Sequence, residues 1–202
     1  VYPTREAFHR RLRSKKRLTV YLGIDPTSPE VHIGHLVALQ KMRQFQELGH
    51  KVVLLIGDFT GQVGDPTDKQ AERKPLTKAQ VRANARDYRK QASKILRFRG
   101  KNPAEIRYNA DWLGKLTFAD AAELAGHFTV QQLIDRDMFQ QRLKANKPIS
   151  VREFLYPLMQ GYDSVAMNVD VEVGGSDQTF NMLAGRKLLK EYKDKDKFVL
   201  AT

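Results

Sequence analysis

Three short runs in this 202-residue chain hold the residue types that handle phosphate, ammonium and sugar groups. The first is His32-Ile33-Gly34-His35, placed where an apolar strand would hand over to a helix. A helix N-terminus offers free N–H groups and the positive end of the dipole, a setting suited to phosphate. The two imidazoles stand three residues apart and can converge on one phosphate. Thr27, in Asp25-Pro26-Thr27, adds a hydroxyl on the same rim, and Gly34 leaves the backbone open to a flat ring or a phosphate. Two surface histidines, or a capped helix that binds nothing, would give the same tetrapeptide. So would a His-x-x-His metal pair, although no third ligand stands at a suitable spacing.

The second run is Gly57-Asp58-Phe59-Thr60-Gly61-Gln62-Val63-Gly64-Asp65-Pro66. Its glycines permit close backbone approach, but their spacing is neither the dinucleotide fingerprint nor a Walker A loop, which argues against hydride transfer and against a P-loop NTPase. Asp65, past the carboxyl end of a strand, is positioned to hold a ligand's ammonium group. Turn formation with Pro66 would explain it equally well. Lys69 and Arg73 lie just beyond, within reach of a polyphosphate tail. The third run, Glu172-Val173-Gly174-Gly175-Ser176-Asp177-Gln178, joins a strand to a helix through a Gly-Gly turn. It offers a carboxylate to ribose hydroxyls while the glycines leave room for the sugar, and an N-cap after a tight turn would read the same way.

These runs need a scaffold, and the hydrophobic pattern supplies one. Leu18 to Ile24 and Val52 to Ile56 are strands, and His35 to Leu48 has helical spacing closed by Gly49. Strand, helix and strand in succession imply parallel pairing through a right-handed crossover, and the continuous apolar runs imply that both sheet faces are covered. A second helix is expected from Lys78 to Arg99, opened by a Thr77–Gln80 capping box, with Val81, Ala85, Tyr88, Ala92 and Ile95 as its buried stripe and Gly100 at its end. Ile106 to Tyr108 is a short strand, and residues 117 to 147 read as two or three short helices with Thr117 and Thr129 as N-caps. Ser150 and Glu153 box the start of a helix that carries Phe154, Tyr156 and Gln160; Pro157 falls early enough not to break it. A strand at Val169 to Val173, a helix from Asp177 to Tyr192 and a strand from Phe198 complete the pattern. The fold class read from this is α/β, a Rossmann-like doubly wound parallel sheet with a helical insertion. It divides into a basic N-terminal segment (1–17), a first half of the sheet domain (18–109), the insertion (110–150) and a second half, incomplete (151–202).

The chain carries 35 Lys+Arg against 23 Asp+Glu, a formal charge of +12, and the excess is concentrated. Residues 1–20 carry +6 and residues 69–101 carry +10, which leaves −4 elsewhere. A field of this kind suits a polyanion such as nucleotide phosphates or RNA, although basic residues also fill solvated helix faces routinely. The absence of cysteine excludes a disulfide scaffold, a Cys nucleophile and Cys-ligated zinc. No apolar run is long enough to cross a membrane, and the N-terminus shows no signal-peptide core. A soluble, cytoplasmic protein is expected.

Taken together, Tyr21-Leu22-Gly23-Ile24-Asp25-Pro26-Thr27, His32 to His35, Thr60-Gly61-Gln62-Val63-Gly64-Asp65-Pro66, Asn109-Ala110-Asp111-Trp112, Tyr156-Pro157-Leu158-Met159-Gln160-Gly161-Tyr162-Asp163 and Gly174-Gly175-Ser176-Asp177-Gln178 resemble the bacterial tyrosyl-tRNA synthetases, class I aminoacyl-tRNA synthetases. The pieces fall in that family's order from about residue 18 to 190. The related tryptophanyl enzymes share the fold and the histidine signature but would not be expected to carry both Tyr21 and Asp163. The resemblance implies attack of the tyrosine carboxylate on the α-phosphate of ATP, brought with Mg2+, and then transfer to tRNA(Tyr). By that resemblance His32, His35 and Thr27 hold the phosphates, and Lys69 and Arg73 embrace the leaving pyrophosphate. Asp25, Gly34, Gly175 and Asp177 serve ATP, with Gly34 against adenine and the latter two at the ribose. Asp65, Tyr156 and Gln160 take the tyrosine ammonium, Gln178 lies near its carboxylate, and Tyr21 and Asp163 meet its hydroxyl. No resident metal site or tightly bound cofactor is implied, and a homodimer through the insertion is expected. The family's Lys-Met-Ser-Lys-Ser loop does not occur in these 202 residues, so a catalytic-domain fragment that binds tyrosine and activates it weakly is the expectation. Two other readings stand beside it: another adenylyl-transferring nucleotidylyltransferase, which explains His32 to His35 only, and a non-catalytic RNA-binding module built on the basic segments.

Overall fold

The structure, a computed structural model, describes residues 1–27, 33–66 and 77–202. Along the chain come α1 (Arg5–Arg13), β1 (Thr19–Ile24), α2 (Ile33–Glu47), β2 (Lys51–Ile56), α3 (Thr60–Val63), α4 (Lys78–Ala92), β3 (Glu105–Tyr108) and α5 (Ala110–Leu113). They are followed by α6 (Phe118–Gly126), α7 (Val130–Ile134), α8 (Asp137–Lys144), α9 (Val151–Met167), β4 (Val171–Gly174), a 3-10 turn at Ser176–Gln178, α10 (Thr179–Lys193) and β5 (Phe198–Ala201). The strands form one sheet in the order β3-β2-β1-β4-β5, all paired parallel, and Tyr2 adds a single antiparallel bridge to Val199 of β5.

Alternation along the strands assigns the two faces. Val20, Leu22 and Ile24 of β1, with Val52, Leu54 and Ile56 of β2, pack with Leu39 and Met42 of α2 and Ala85 and Tyr88 of α4. Tyr21, Val53 and Leu55 point the other way and share a cluster with Val169. Because both sets are buried, β2 reads as an unbroken apolar run.

Capping boxes close the helix starts at Thr77 and Ser150, as their sequences predict, and the expected N-caps Thr117 and Thr129 head full boxes as well. Helix α9 continues through Pro157 without a break.

Three elements differ from expectation. Helix α4 ends at Ala92, not Arg99, with Ser93 as its cap. Gln46 is the reason: its amide donates to the Arg97 carbonyl at 2.7 Å and accepts from the Arg97 N–H at 3.0 Å, while Leu96 is driven into the core. The last helix opens with a 3-10 turn, so α10 proper begins at Thr179. The basic segment 1–17 contains a helix, α1, capped by the Thr4 hydroxyl and held by Phe8 against Phe45 and Phe198. Its charge obscured an apolar stripe only two residues long, Phe8 and Leu12.

Helices α9 and α10 pack closely where Gly161 meets Gly185. A Cβ on Gly161 would fall 2.8 Å from Leu188 Cδ1 and 3.1 Å from the Gly185 nitrogen, so backbone would have to move. Gly161→Ala is expected to cost about 2 kcal/mol, read as a lower urea midpoint with unchanged slope.

Candidate active site

Strand order reverses between β1 and β4, and in open parallel sheets the crevice outside the carboxyl ends at such a point is where ligands bind. Asp25 to Thr27 follow β1, Gly57 to Pro66 follow β2, Asn109 follows β3 and Gly175 to Gln178 follow β4, so the chemistry-bearing runs share one sheet end. Helix α9 adds Tyr156, Gln160 and Asp163, spaced i, i+4, i+7 on one of its faces.

The floor is a buried polar network. The Trp112 indole N–H donates to Asp163 Oδ1 at 2.8 Å, and the Asn109 amide donates to Asp163 Oδ2 at 3.3 Å. Burial pushes the Asp163 carboxyl well above the ordinary carboxylate range; these two donors oppose that, while the charges of Glu172 and Asp25 add to it. Tyr21 is fully buried with its hydroxyl 3.0 Å from Ser164 Oγ. Burial, then the charges of Glu172 and Asp163, hold that hydroxyl protonated far above its usual range. Beside it the Lys197 ammonium donates to Ser164 Oγ at 2.8 Å and pairs with Glu172.

Nearer the β1–β2 side, Asp25 accepts from Thr60 Oγ1 at 2.6 Å and from the Tyr156 hydroxyl at 2.9 Å. A side chain at Gly57 would occupy the space of the Asp25 carboxylate, so the glycine is what admits it. Burial raises the Asp25 pKa to about 7, with the Thr60 and Tyr156 hydrogen bonds opposing and Asp65 and Asp58 reinforcing. Asn109 links this cluster to the floor, since its amide also donates to Thr60 Oγ1 at 2.9 Å while its carbonyl accepts from the Phe59 N–H.

The remaining predicted residues divide into those brought together and those that are not. Gln178 donates to Asp65 at 2.7 Å and to Asp177 at 3.1 Å, which joins the ammonium, carboxylate and ribose candidates. Gly175 leaves the space that the Asp177 carboxylate fills. Tyr156, expected with Asp65 and Gln160, gives its hydroxyl to Asp25, and Gln160 lies 3.4 Å from Glu172. His35 is half-buried in the first turn of α2, edge-on to Tyr88, and Gly34 beside it is exposed. Thr27 follows a loop that Asn84 fixes by donating to the Pro26 carbonyl. His32, Lys69 and Arg73 lie outside the described residues. Among the described residues no group of three or more His, Asp or Glu could hold a metal ion, and no helix is long and apolar enough to cross a membrane.

Sequence reasoning missed Ser164 and Lys197 and gave no role to Thr60, Asn109 or Trp112. Asn109 and Trp112 stand three residues apart across the short helix α5, so spacing was an available signal. Ser164 directly follows Asp163 on α9, whereas Lys197 sits in a run of charged residues with nothing to mark it as buried.

A profile described as tRNA synthetases class I (W and Y) matches residues 13–202. The tyrosine–tRNA ligase of Moorella thermoacetica is 54% identical over 181 residues, 90% of this chain and 43% of that protein. That of Carboxydothermus hydrogenoformans is 51% identical over 189 residues, 93% of this chain and 45% of that protein, so the chain spans under half the length of these relatives. Among solved structures, a C-terminally truncated mitochondrial tyrosyl-tRNA synthetase of Coccidioides posadasii superposes with TM-score 0.82 at 27% identity, over 99% of this chain and 62% of that one. With the profile covering nearly the whole chain, the chain belongs to the class I tRNA synthetases (W and Y).

Proposed function

We propose that the crevice binds tyrosine and activates it with ATP, giving tyrosyl-adenylate and pyrophosphate, as the first half of charging tRNA(Tyr). The observation that carries this is the floor. Asp163 and the Tyr21–Ser164 pair form a buried polar floor, suited to an aromatic ring that carries its own hydroxyl. At the opposite end, Asp65 would take the ammonium once Gln178 releases it toward the carboxylate, with Gln160 and Tyr156 alongside.

The tyrosine carboxylate is itself the nucleophile. Its oxygen attacks the α-phosphorus, the bond from that phosphorus to the bridging oxygen breaks, and the electron pair leaves with pyrophosphate. Neither an enzyme base nor a covalent enzyme intermediate is required, so rate comes from positioning and from stabilising charge on the transferring group. His32, His35 and Thr27 would supply donors to the phosphates, Lys69 and Arg73 would hold the pyrophosphate, and Asp25, Gly34, Gly175 and Asp177 would hold the nucleoside. Mg2+ arrives with the ATP polyphosphate and belongs to that substrate. Residues 110–150 would form the subunit contact of a homodimer; Phe118 and Val130 there are 92% and 65% exposed, apolar surface of the kind a partner covers.

Tyrosine-dependent ATP–pyrophosphate exchange tests the reading. Tyrosine should support exchange while tryptophan and phenylalanine do not, and His35→Ala should lower the rate about 100-fold. Exchange driven by a small phosphorylated acceptor in place of tyrosine would favour a different adenylyl transferase.

A further inference from the structure

Lys197 is the residue the site does not yet explain. Its side chain is fully buried, and its ammonium meets Glu172 of β4, Ser164 of α9 and, at 5.9 Å, the face of the Tyr21 ring. A buried ion pair is a poor way to gain stability, because desolvating both ions offsets most of their attraction and an apolar pair of similar volume would pack as well. The fold nevertheless makes room for it. A Cβ at Gly185 would fall 2.5 Å from Lys197 Nζ and 2.7 Å from Ser164 Oγ, so the close α9–α10 crossing also opens the slot that this ammonium fills.

Hydrogen-bond direction gives the pair a use. An ammonium can only donate, so Ser164 Oγ must accept from Lys197. Its single hydrogen is then available to the Tyr21 oxygen 3.0 Å away, and a Tyr21 hydroxyl that accepts from Ser164 turns its own hydrogen outward. Glu172 acts on Tyr21 both by its charge and as a hydrogen-bond acceptor, and sharing that carboxylate with Lys197 weakens its hold on the Tyr21 hydrogen, which a ligand oxygen can then take over. The order runs from an obligate donor, Lys197, through Ser164 and Tyr21 toward Asp163, which accepts from Trp112 and Asn109. A ligand oxygen that accepts from Tyr21 and donates to Asp163 completes the chain, and a bare ring leaves it broken.

We propose that Lys197, held by Glu172, is a positioning residue that acts through Ser164 to orient the Tyr21 hydroxyl, and so sets the preference of the pocket for a ring bearing a hydroxyl. The proposal rests on the amino-acid pocket described under Proposed function. Calorimetric titration of the 202-residue chain with tyrosine and with phenylalanine tests both, in the parent, Ser164→Ala, and Lys197→Met/Glu172→Gln. The double variant removes both charges together and so avoids a lone buried ion. The parent should take tyrosine at least about 100-fold more tightly than phenylalanine. In each variant that ratio should fall about tenfold or more, with phenylalanine affinity within twofold of the parent. A purely structural pair would lower both affinities together, or neither once the charges are removed as a pair; either result overturns the proposal while the parent still prefers tyrosine. A parent that binds neither amino acid, or both equally, refutes the pocket itself and the proposal with it.

Discussion

Asp163→Asn is expected to weaken tyrosine binding about 100-fold and to narrow the gap between tyrosine and phenylalanine. The carboxylate accepts on both oxygens, from Trp112 at 2.8 Å and from Asn109 at 3.3 Å, and it is 2% exposed. An asparagine offers one carbonyl in place of two oxygens, so either Trp112 or Asn109 would face an NH2 group. One buried donor left unmatched costs about 1–3 kcal/mol, and the tyrosine hydroxyl loses an acceptor oxygen as well. Titration calorimetry with both amino acids reads the effect, and far-ultraviolet circular dichroism checks that the fold persists. A variant within twofold of the parent for tyrosine would place the hydroxyl somewhere other than Asp163.

The second large effect is on stability against pH. Asp25 titrates near pH 7 in the folded chain, against an ordinary value of 3.8. Between those values the folded state keeps a proton that the unfolded chain has released, so the contribution is complete below about pH 4 and is lost as pH rises through 7. A shift of this size corresponds to roughly 4 kcal/mol when the group is fully enclosed. Asp25 is half-buried, which brings the expectation to about 3 kcal/mol. Asp25→Asn keeps an acceptor for Thr60 and can donate to the Tyr156 oxygen, so it should preserve the shape while removing the titration. Urea unfolding at pH 4.5 and pH 8 is the measurement. The parent should lose about 2 kcal/mol more than the variant over that interval, whereas equal losses would mean that Asp25 is ionised throughout.

The sheet was legible because its strands alternate or run apolar over whole elements and its helices announce their starts. Thr77 and Ser150 make the capping boxes their sequences predict, and Thr117 and Thr129 are the N-caps expected of them. Ends were harder. Helical periodicity continues past Ala92 to Leu96, and the contact that terminates α4, from Gln46, comes from a residue fifty positions earlier. Helix α1 was hidden for a related reason: Phe8 is buried only because Phe45 and Phe198 arrive from elsewhere in the chain.

The site divides along the same line. Residues on one element, such as Tyr156, Gln160 and Asp163, fall within one contiguous motif, through which the family resemblance gave them roles. The network that supports them joins α3, α5, α9 and the start of β5 through Thr60, Asn109, Ser164 and Lys197, and no local pattern carries that information. Glu172 shows the difference plainly. In sequence it is an acidic residue in a strand before two glycines, and only the fold pairs it with Lys197 and places it 3.4 Å from Gln160.

The most direct measurement is a crystal structure of the chain soaked with tyrosine. The phenolic oxygen should lie about 2.7–3.0 Å from both the Tyr21 hydroxyl and an Asp163 oxygen, with the ammonium within about 3 Å of Asp65. A ring that points its hydroxyl to solvent, or a tyrosine seated away from Asp163, would contradict the assignment of this floor to recognition of the substrate hydroxyl.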